Sequence, residues 1–268
     1  IVLQYFQLNA THKKPISVKQ LTESANASSA VVKALIDKNI FEEYYLQHDR
    51  IDFQGKPKDG TLQLSEVQQD AFDEITHQFL AKDVCLLHGV TASGKTEIYM
   101  RLIEEYLKQK KQVLYLLTEI ALTTQLVDRL RDYFGNKVAV YHSKYSNNER
   151  VEVWRQVQEV SEKSQIVIGA RSAMFLPFSD LGLIIVDEEH EQTFKQQDPS
   201  PRYHARDAAI VLAGMLQSKV LLGSATPSIE TYFNAQNNKF GFVEISERYG
   251  KVPLPEIVLV DLDRKSVV

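Results

Sequence analysis

One octapeptide limits what this chain can fold into more than any other stretch. Gly89-Val90-Thr91-Ala92-Ser93-Gly94-Lys95-Thr96 matches the pattern G-x-x-x-x-G-K-[S/T] in full. It follows the apolar run Val84–His88 and precedes Glu97–Gln109, where Ile98, Leu102, Ile103, Tyr106 and Leu107 recur at helical spacing. Such a loop wraps phosphate groups with backbone N–H donors. Side chains at Gly89 or Gly94 would obstruct the wrap, and the following helix adds the positive end of its dipole. Gly89, Thr91, Ala92, Ser93, Gly94, Lys95 and Thr96 are therefore candidate nucleotide-binding residues. Lys95 offers a mobile cation to the β- and γ-phosphates, and the Thr96 hydroxyl is a candidate Mg²⁺ ligand.

The surrounding pattern fits that loop. Apolar runs at Val84–His88, Val113–Leu117, Val138–Tyr141, Ile166–Gly169, Leu183–Asp187 and Val220–Gly223 read as strands. Amphipathic stretches lie between them, and one more at Glu66–Leu80 precedes the first. Continuous apolar strands separated by helices predict an α/β fold, a parallel sheet covered by helices on both faces. The hydrophobic fraction of 44% and the charged fraction of 25% are those of a soluble globular chain. No apolar run reaches the roughly 18 residues of a membrane span. The lone Cys85 excludes an internal disulfide or a Cys-rich zinc site within these residues and reads as buried strand filler. The net charge of −4 excludes a global basic field, so nucleic acid could be held only by a local surface. The chain has no signal sequence and no initiator Met, and reads as a portion of a longer, cytoplasmic protein.

Two regions differ in texture. Residues 1–60 carry 8 Lys/Arg and 7 Asp/Glu, net +1, against 23 and 28, net −5, in the rest. The turn-rich segment Phe53–Gly60 reads as a linker, giving domains 1–58 and 59–268. In the first, a helix capped by Ser17 and running to Ala25, a second from Asn26, and a strand at Ile40–Gln47 outline a winged helix. A small interaction domain that touches no DNA has the same outline.

A second motif completes the phosphate chemistry. Leu181–Val186 is apolar, and Asp187-Glu188-Glu189-His190 follows at the C-terminal end of that predicted strand, where α/β sheets bind ligands. Asp187 is a candidate to hold Mg²⁺ through water, and Glu188 to orient and deprotonate an attacking water. Together the two motifs predict a nucleoside-triphosphate hydrolase, with Lys95, Asp187 and Glu188 catalytic. After the last strand, Gly223-Ser224-Ala225-Thr226-Pro227-Ser228 offers hydroxyls that could switch hydrogen bonds. The alternative is a helix-capping turn.

The segments "GVTASGKTEIY", "LLTEIALTTQL", "YHSKYSNNERVEVW", "IVIGARSAMFLPFSDLGLIIVDEEHEQTFKQQDPSPRYHARDAAI" and "LGSATPSIET" resemble the first motor lobe, RecA-like in fold, of the PriA family of primosomal replication-restart helicases in superfamily 2. The resemblance runs from about Leu64 to about Thr231, and the first 60 residues resemble that family's winged helix more loosely. It implies ATP and Mg²⁺ as cofactors. Gln68 would read adenine, as its amide suits that edge, with an ordinary exposed helix residue as the alternative. Thr118, Glu119 and Thr123 lie where such lobes hold the DNA backbone, and Arg171 would meet a phosphate of the tracked strand. Phe194–Arg206 resembles an aromatic-rich loop that couples single-stranded DNA to hydrolysis, with Phe194, Lys195, Arg202, Tyr203, His204 and Arg206 carrying stacking and phosphate contact; the alternative is a surface loop whose aromatics pack down on the lobe. His190 would pass the γ-phosphate signal on, with Ser224 and Thr226. The implied activity is 3′-to-5′ DNA unwinding at stalled or collapsed forks. Implied partners are forked and single-stranded DNA, restart proteins, single-stranded DNA-binding protein and the replicative helicase loader. The family's second lobe and its zinc module match nothing in this sequence, so slow turnover and no zinc are expected of this chain. Other readings are a scaffold using ATP as a conformational ligand and another superfamily 2 translocase.

Overall fold

The computed structural model describes residues 1–12, 16, 18–38, 40–41, 62–119, 121, 124–142 and 145–248. The chain divides into two compact units, Ile1–Asp49 and Arg50–Val268. Among the described residues the first holds three helices, α1 (Val2–His12), α2 (Val18–Ser24) and α3 (Ser29–Asp37). Leu21 and Val32 are buried in this unit, and the Tyr5 and Phe41 rings meet with centroids 5.2 Å apart. The two helices expected after Ser17 are present. The second starts three residues later than expected, with Ser28 at its N-cap position. Helix α1 was not expected, because its apolar residues include exposed Leu3 and Phe6 and trace no clear stripe. The expected strand at Ile40–Gln47, apart from its first two residues, and the Phe53–Gly60 linker lie outside the described residues.

The second unit is an α/β lobe. Its elements are α4 (Glu66–Ala81), β1 (Val84–Gly89), α5 (Lys95–Lys108), β2 (Gln112–Leu116), α6 (Thr124–Phe134), β3 (Val138–Tyr141), α7 (Asn147–Gln158), β4 (Ile166–Gly169), β5 (Leu181–Asp187), β6 (Lys195–Gln196), β7 (Tyr203–His204), α8 (Ala205–Leu216), β8 (Lys219–Ser224), α9 (Ile229–Gln236) and β9 (Gly241–Ile245). Seven strands form one parallel sheet in the order β3-β4-β2-β5-β8-β1-β9. Side chains alternate across it. Leu86, Leu114, Leu116, Ile184 and Val186 enter a core with Val153, Val157, Ala205, Ala209 and Ala235 from α7, α8 and α9. Cys85, Leu87, Val113, Tyr115 and Ile185 enter the opposite core with Phe72, Ile75, Ile98, Ile103 and Leu130 from α4, α5 and α6. Both faces are thus covered, as a parallel sheet requires. Burial pushes the Cys85 thiol up to about 12, which fits strand filler and not reactivity.

Local chemistry fixes the helix starts. Ser65 and Gln68 form a reciprocal capping box on α4, as Ser146 and Glu149 do on α7. Strand β9 was not expected: its pattern Gly-Phe-Val-Glu-Ile alternates where the interior strands are continuously apolar, since it lies at the sheet edge. Strands β5, β8 and β1 are adjacent, so their C-terminal ends bring Asp187, Ser224 and Gly89 to one edge.

Candidate active site

The phosphate loop leaves β1 at Gly89 and enters α5 at Lys95, with Gly94 as the N-cap at φ +83°. That left-handed conformation suits glycine, and a Cβ there would collide with the Gln68 carboxamide. At Gly89 a Cβ would stand 2.8 Å from Ser93 Oγ and 3.1 Å from Lys95 Cγ. Lys95 Nζ donates to the Gly89 carbonyl at 3.0 Å and stands 3.7 Å from Glu188 Oε1. The buried Ser93 hydroxyl has no partner among the described residues, while Thr91 and Ala92 are exposed and Thr96 is half-buried in the first turn of α5. All seven loop residues singled out in the sequence lie together.

Gln68 braces this loop. It is buried, its Oε1 accepts from the Ser65 backbone N–H at 2.9 Å, and its Nε2 donates to the Gly94 carbonyl at 3.3 Å. The exposed-helix alternative is thereby excluded.

Asp187 ends β5. Tyr99 from α5 donates to its Oδ1 at 3.1 Å, and Tyr115 from β2 donates to its Oδ2 at 3.2 Å. Burial pushes the Asp187 carboxyl above the usual carboxylate range and the Glu188 charge adds to this, while the tyrosine hydrogen bonds and the Lys95 charge oppose it. Burial, reinforced by the Asp187 charge, holds both phenols well above their ordinary value, so they stay protonated donors. The Asp187 carboxylate and Thr96 hydroxyl are hard oxygen donors of the kind a Mg²⁺ ion takes beside phosphates, and the close backbone approach at Gly89 with the unpartnered Ser93 hydroxyl suits those phosphates. Glu188 sits at φ +51°, a left-handed position uncommon for a non-glycine residue, and its side chain is 38% exposed. Its carboxylate stands 3.7 Å from both Lys95 Nζ and His190 Nδ1.

His190 meets the third motif. Its Nδ1 is 2.7 Å from Ser224 Oγ and its Nε2 is 3.3 Å from Thr226 Oγ1. The cap of α9 is Ser228, which accepts from the Thr231 backbone N–H, so the Ser224 and Thr226 hydroxyls face His190 instead.

Sequence reasoning missed Glu189. It is fully buried at the end of β5 and satisfied on every side. It accepts from Arg206 Nη1 at 2.8 Å, the Ser228 backbone N–H at 2.7 Å, the Ser228 hydroxyl at 3.2 Å and the Thr231 hydroxyl at 2.9 Å. The one available signal was an Arg-Asp pair in the otherwise apolar start of α8, Ala205-Arg206-Asp207-Ala208-Ala209.

This network corrects one expectation. Arg206 is 8% exposed and bound to Glu189, Asp207 and Ser228, so it is no DNA phosphate contact. Phe194 is corrected likewise: it is fully buried in the core under β5 and α8 and presents no face to a base. Between these anchors β6 and β7 form an antiparallel hairpin. Lys195 and Arg202 are exposed on it, Tyr203 and His204 half-buried. Arg171 Nη1 donates to the Lys195 carbonyl at 3.1 Å, and Tyr203 packs edge-on against exposed Phe175, centroids 5.1 Å apart. A hollow of about 630 Å³ lies along Lys195, Gln196, Asp198, Arg202, Tyr203 and His204. Thr118 Oγ1 accepts from the Ala121 N–H at 3.1 Å, Glu119 is exposed, and Thr123 lies outside the described residues.

A family model described as DEAD/DEAH box helicase matches residues 65–234, and one described as winged helix domain, PriA helicase, Bacteroidota, matches residues 1–47. Replication restart protein PriA of Bacillus subtilis is 40% identical over 262 residues, covering 96% of this chain and 32% of the relative. That of Haemophilus influenzae is 40% identical over 278 residues, covering 99% and 38%. The chain thus spans about a third of the length of these relatives. Among solved structures, RecG bound to a three-way DNA junction superposes with a TM-score of 0.50 at 18% identity, covering 82% of this chain and 26% of that one. The DUF1998 helicase MrfA bound to DNA and AMPPNP does so at 0.50 and 17%, covering 81% and 34%. These two likenesses concern the fold alone.

Proposed function

The chain belongs to the DEAD/DEAH box helicase family, and from that footing we propose that it is the nucleotide-binding motor lobe of an ATP-dependent 3′-to-5′ DNA helicase of replication restart. In this reading residues 1–58 are a winged-helix module and residues 59–268 the motor lobe. The protein works in the bacterial cytoplasm at stalled or collapsed forks, with restart proteins, single-stranded DNA-binding protein and the replicative helicase loader as partners. The observation that carries the proposal is the meeting of three chain-distant motifs at the C-terminal ends of β1, β5 and β8. Lys95 lies 3.7 Å from Glu188 there, and His190 reaches both Ser224 and Thr226.

Each residue then has a task. Lys95 leaves the Gly89 carbonyl to pair with the β- and γ-phosphates of ATP, while the loop amides wrap them. Thr96 and Asp187 would hold Mg²⁺, which when bound would neutralise charge on the phosphate oxygens. Glu188 orients the attacking water and accepts its proton. His190 reports the state of Glu188 to the Ser224–Thr226 turn. Arg171, Lys195, Arg202 and Tyr203, with Thr118, form the surface for single-stranded DNA, where cations and an aromatic ring suit a flexible backbone and its bases.

Calorimetry with ATP in Mg²⁺ tests the nucleotide half: Lys95→Ala should bind more weakly than the parent chain, and equal affinity removes the site from Lys95. Strand-separation assays on forked DNA, using a helicase that carries this lobe, test the rest. Loss of unwinding with Glu188→Gln is expected, and retained unwinding overturns the proposal.

A further inference from the structure

The acid at the end of β5 is gripped from two directions. Tyr99, one turn into α5, donates to Oδ1, and Tyr115, in β2, donates to Oδ2. Both rings are fully buried and meet edge-on with centroids 5.7 Å apart. Room for the Tyr99 hydroxyl is made by Gly223, the partner of Asp187 in the β5–β8 register, because a Cβ at Gly223 would collide with that hydroxyl. Filling the core explains the rings but not the hydroxyls, since phenylalanine fills the same space without burying a polar group. The Glu188 backbone N–H also donates to Oδ1, at 3.2 Å. Oδ1 thus accepts twice and Oδ2 once among the described residues, which leaves Oδ2 with a lone pair to spare.

We propose that Tyr99 and Tyr115 are positioning residues for a divalent-metal site. Between them they fix the plane of the Asp187 carboxylate and leave Oδ2 as the oxygen offered to the metal or its water. Partners of this kind orient metal-side carboxylates, and their loss costs about 10–100-fold in metal affinity. The inference rests on the reading of Asp187 as the Mg²⁺-holding acid, and the test separates the two.

The 268-residue chain, Tyr99→Phe, Tyr115→Phe and Asp187→Asn are titrated with a non-hydrolysable ATP analogue, in EDTA and across a Mg²⁺ series. Each tyrosine variant should need about 10-fold more Mg²⁺ to reach its tight-binding state, with its affinity in EDTA unchanged. Asp187→Asn should lose the Mg²⁺ enhancement. If Asp187→Asn loses it while both tyrosine variants keep the parental Mg²⁺ requirement, the positioning proposal is overturned and the Asp187 reading stands. If Asp187→Asn keeps the requirement, both fall. An equal loss of affinity in EDTA assigns the tyrosines to packing of the loop and also overturns the proposal. Should a variant fail to fold, the parent chain supplies a second measurement. Adding Mg²⁺ to its analogue complex should perturb the tyrosine ultraviolet difference spectrum, and a flat spectrum counts against the proposal.

Discussion

The phosphate loop at Gly89–Thr96 and the hairpin at 195–204 both follow the C-terminal ends of central strands, yet they are built differently. In the loop the residues singled out by the motif lie together, and its charged group is held by local partners. Lys95 rests on a carbonyl at 3.0 Å and on a half-exposed Glu188 at 3.7 Å, contacts that a phosphate can replace. In the hairpin the aromatic and basic residues divide. Phe194 and Arg206, at its two ends, are buried anchors, while Lys195 and Arg202 between them are exposed. A phosphate motif specifies backbone geometry and therefore carries its orientation with it. A composition of rings and cations does not, and burial sorts it into support and surface.

The largest expected effect lies at the loop end. Glu188→Gln should lower DNA-stimulated turnover by about 10²–10⁴-fold in a helicase bearing this lobe, with nucleotide affinity kept, because an amide accepts no proton. Steady-state turnover beside equilibrium nucleotide binding checks this, and parental turnover would remove Glu188 from the chemistry. Next comes the anchor pair. Arg206→Ala leaves Glu189 buried and unpaired and should cost about 3–5 kcal/mol of stability in denaturant unfolding. Phe194→Ala should cost a similar ~3–5 kcal/mol. An Arg206→Ala protein of parental stability but altered salt dependence of DNA binding would break the division drawn above.

Smaller effects sharpen it. Lys95→Ala should weaken ATP binding by about 1.5–3 kcal/mol, the loss of a charge-assisted hydrogen bond, read by calorimetry. Arg202→Ala should lower the magnitude of the salt slope for single-stranded DNA by about 0.7, the value of one phosphate contact. Affinities measured across a salt series decide, and an unchanged slope would place Arg202 off the nucleic acid. Arg171→Ala should change the slope less cleanly, because its guanidinium also holds the Lys195 carbonyl.

Strands were legible where both faces are covered and the run is continuously apolar: β1, β2, β3, β4, β5 and β8 fall within two residues of their expected bounds, edge strand β3 included, since all four of its residues are buried. Strand β9, at the other edge, was not, since its exposed Glu244 interrupts the apolar run and makes it read like an ordinary polar loop. Helix α1 was missed for a related reason: an apolar stripe is the chief helical signal, and α1 leaves Leu3 and Phe6 exposed. The hydroxyls of Tyr99 and Tyr115 also escaped notice, because in the sequence each is one more large residue in an apolar pattern.

By itself the sequence determined the phosphate loop, the acidic strand end and the parallel α/β lobe that joins them. Those features rest on short-range rules: glycine where a Cβ cannot fit, apolar runs where both faces are covered, acids where a strand stops. Only the tertiary structure decided which polar groups turn inward. Glu189 and Arg206 are 17 positions apart, and Tyr99 and Asp187 are 88 apart. No local pattern links such residues, and the packing of α8 and α5 on the sheet beside β5 brings them within hydrogen-bond reach. Glu188 and Glu189 are neighbours of identical chemistry, yet one is left beside Lys95 and the other is buried against Arg206, Ser228 and Thr231, because the left-handed backbone at Glu188 turns the chain just past the end of β5.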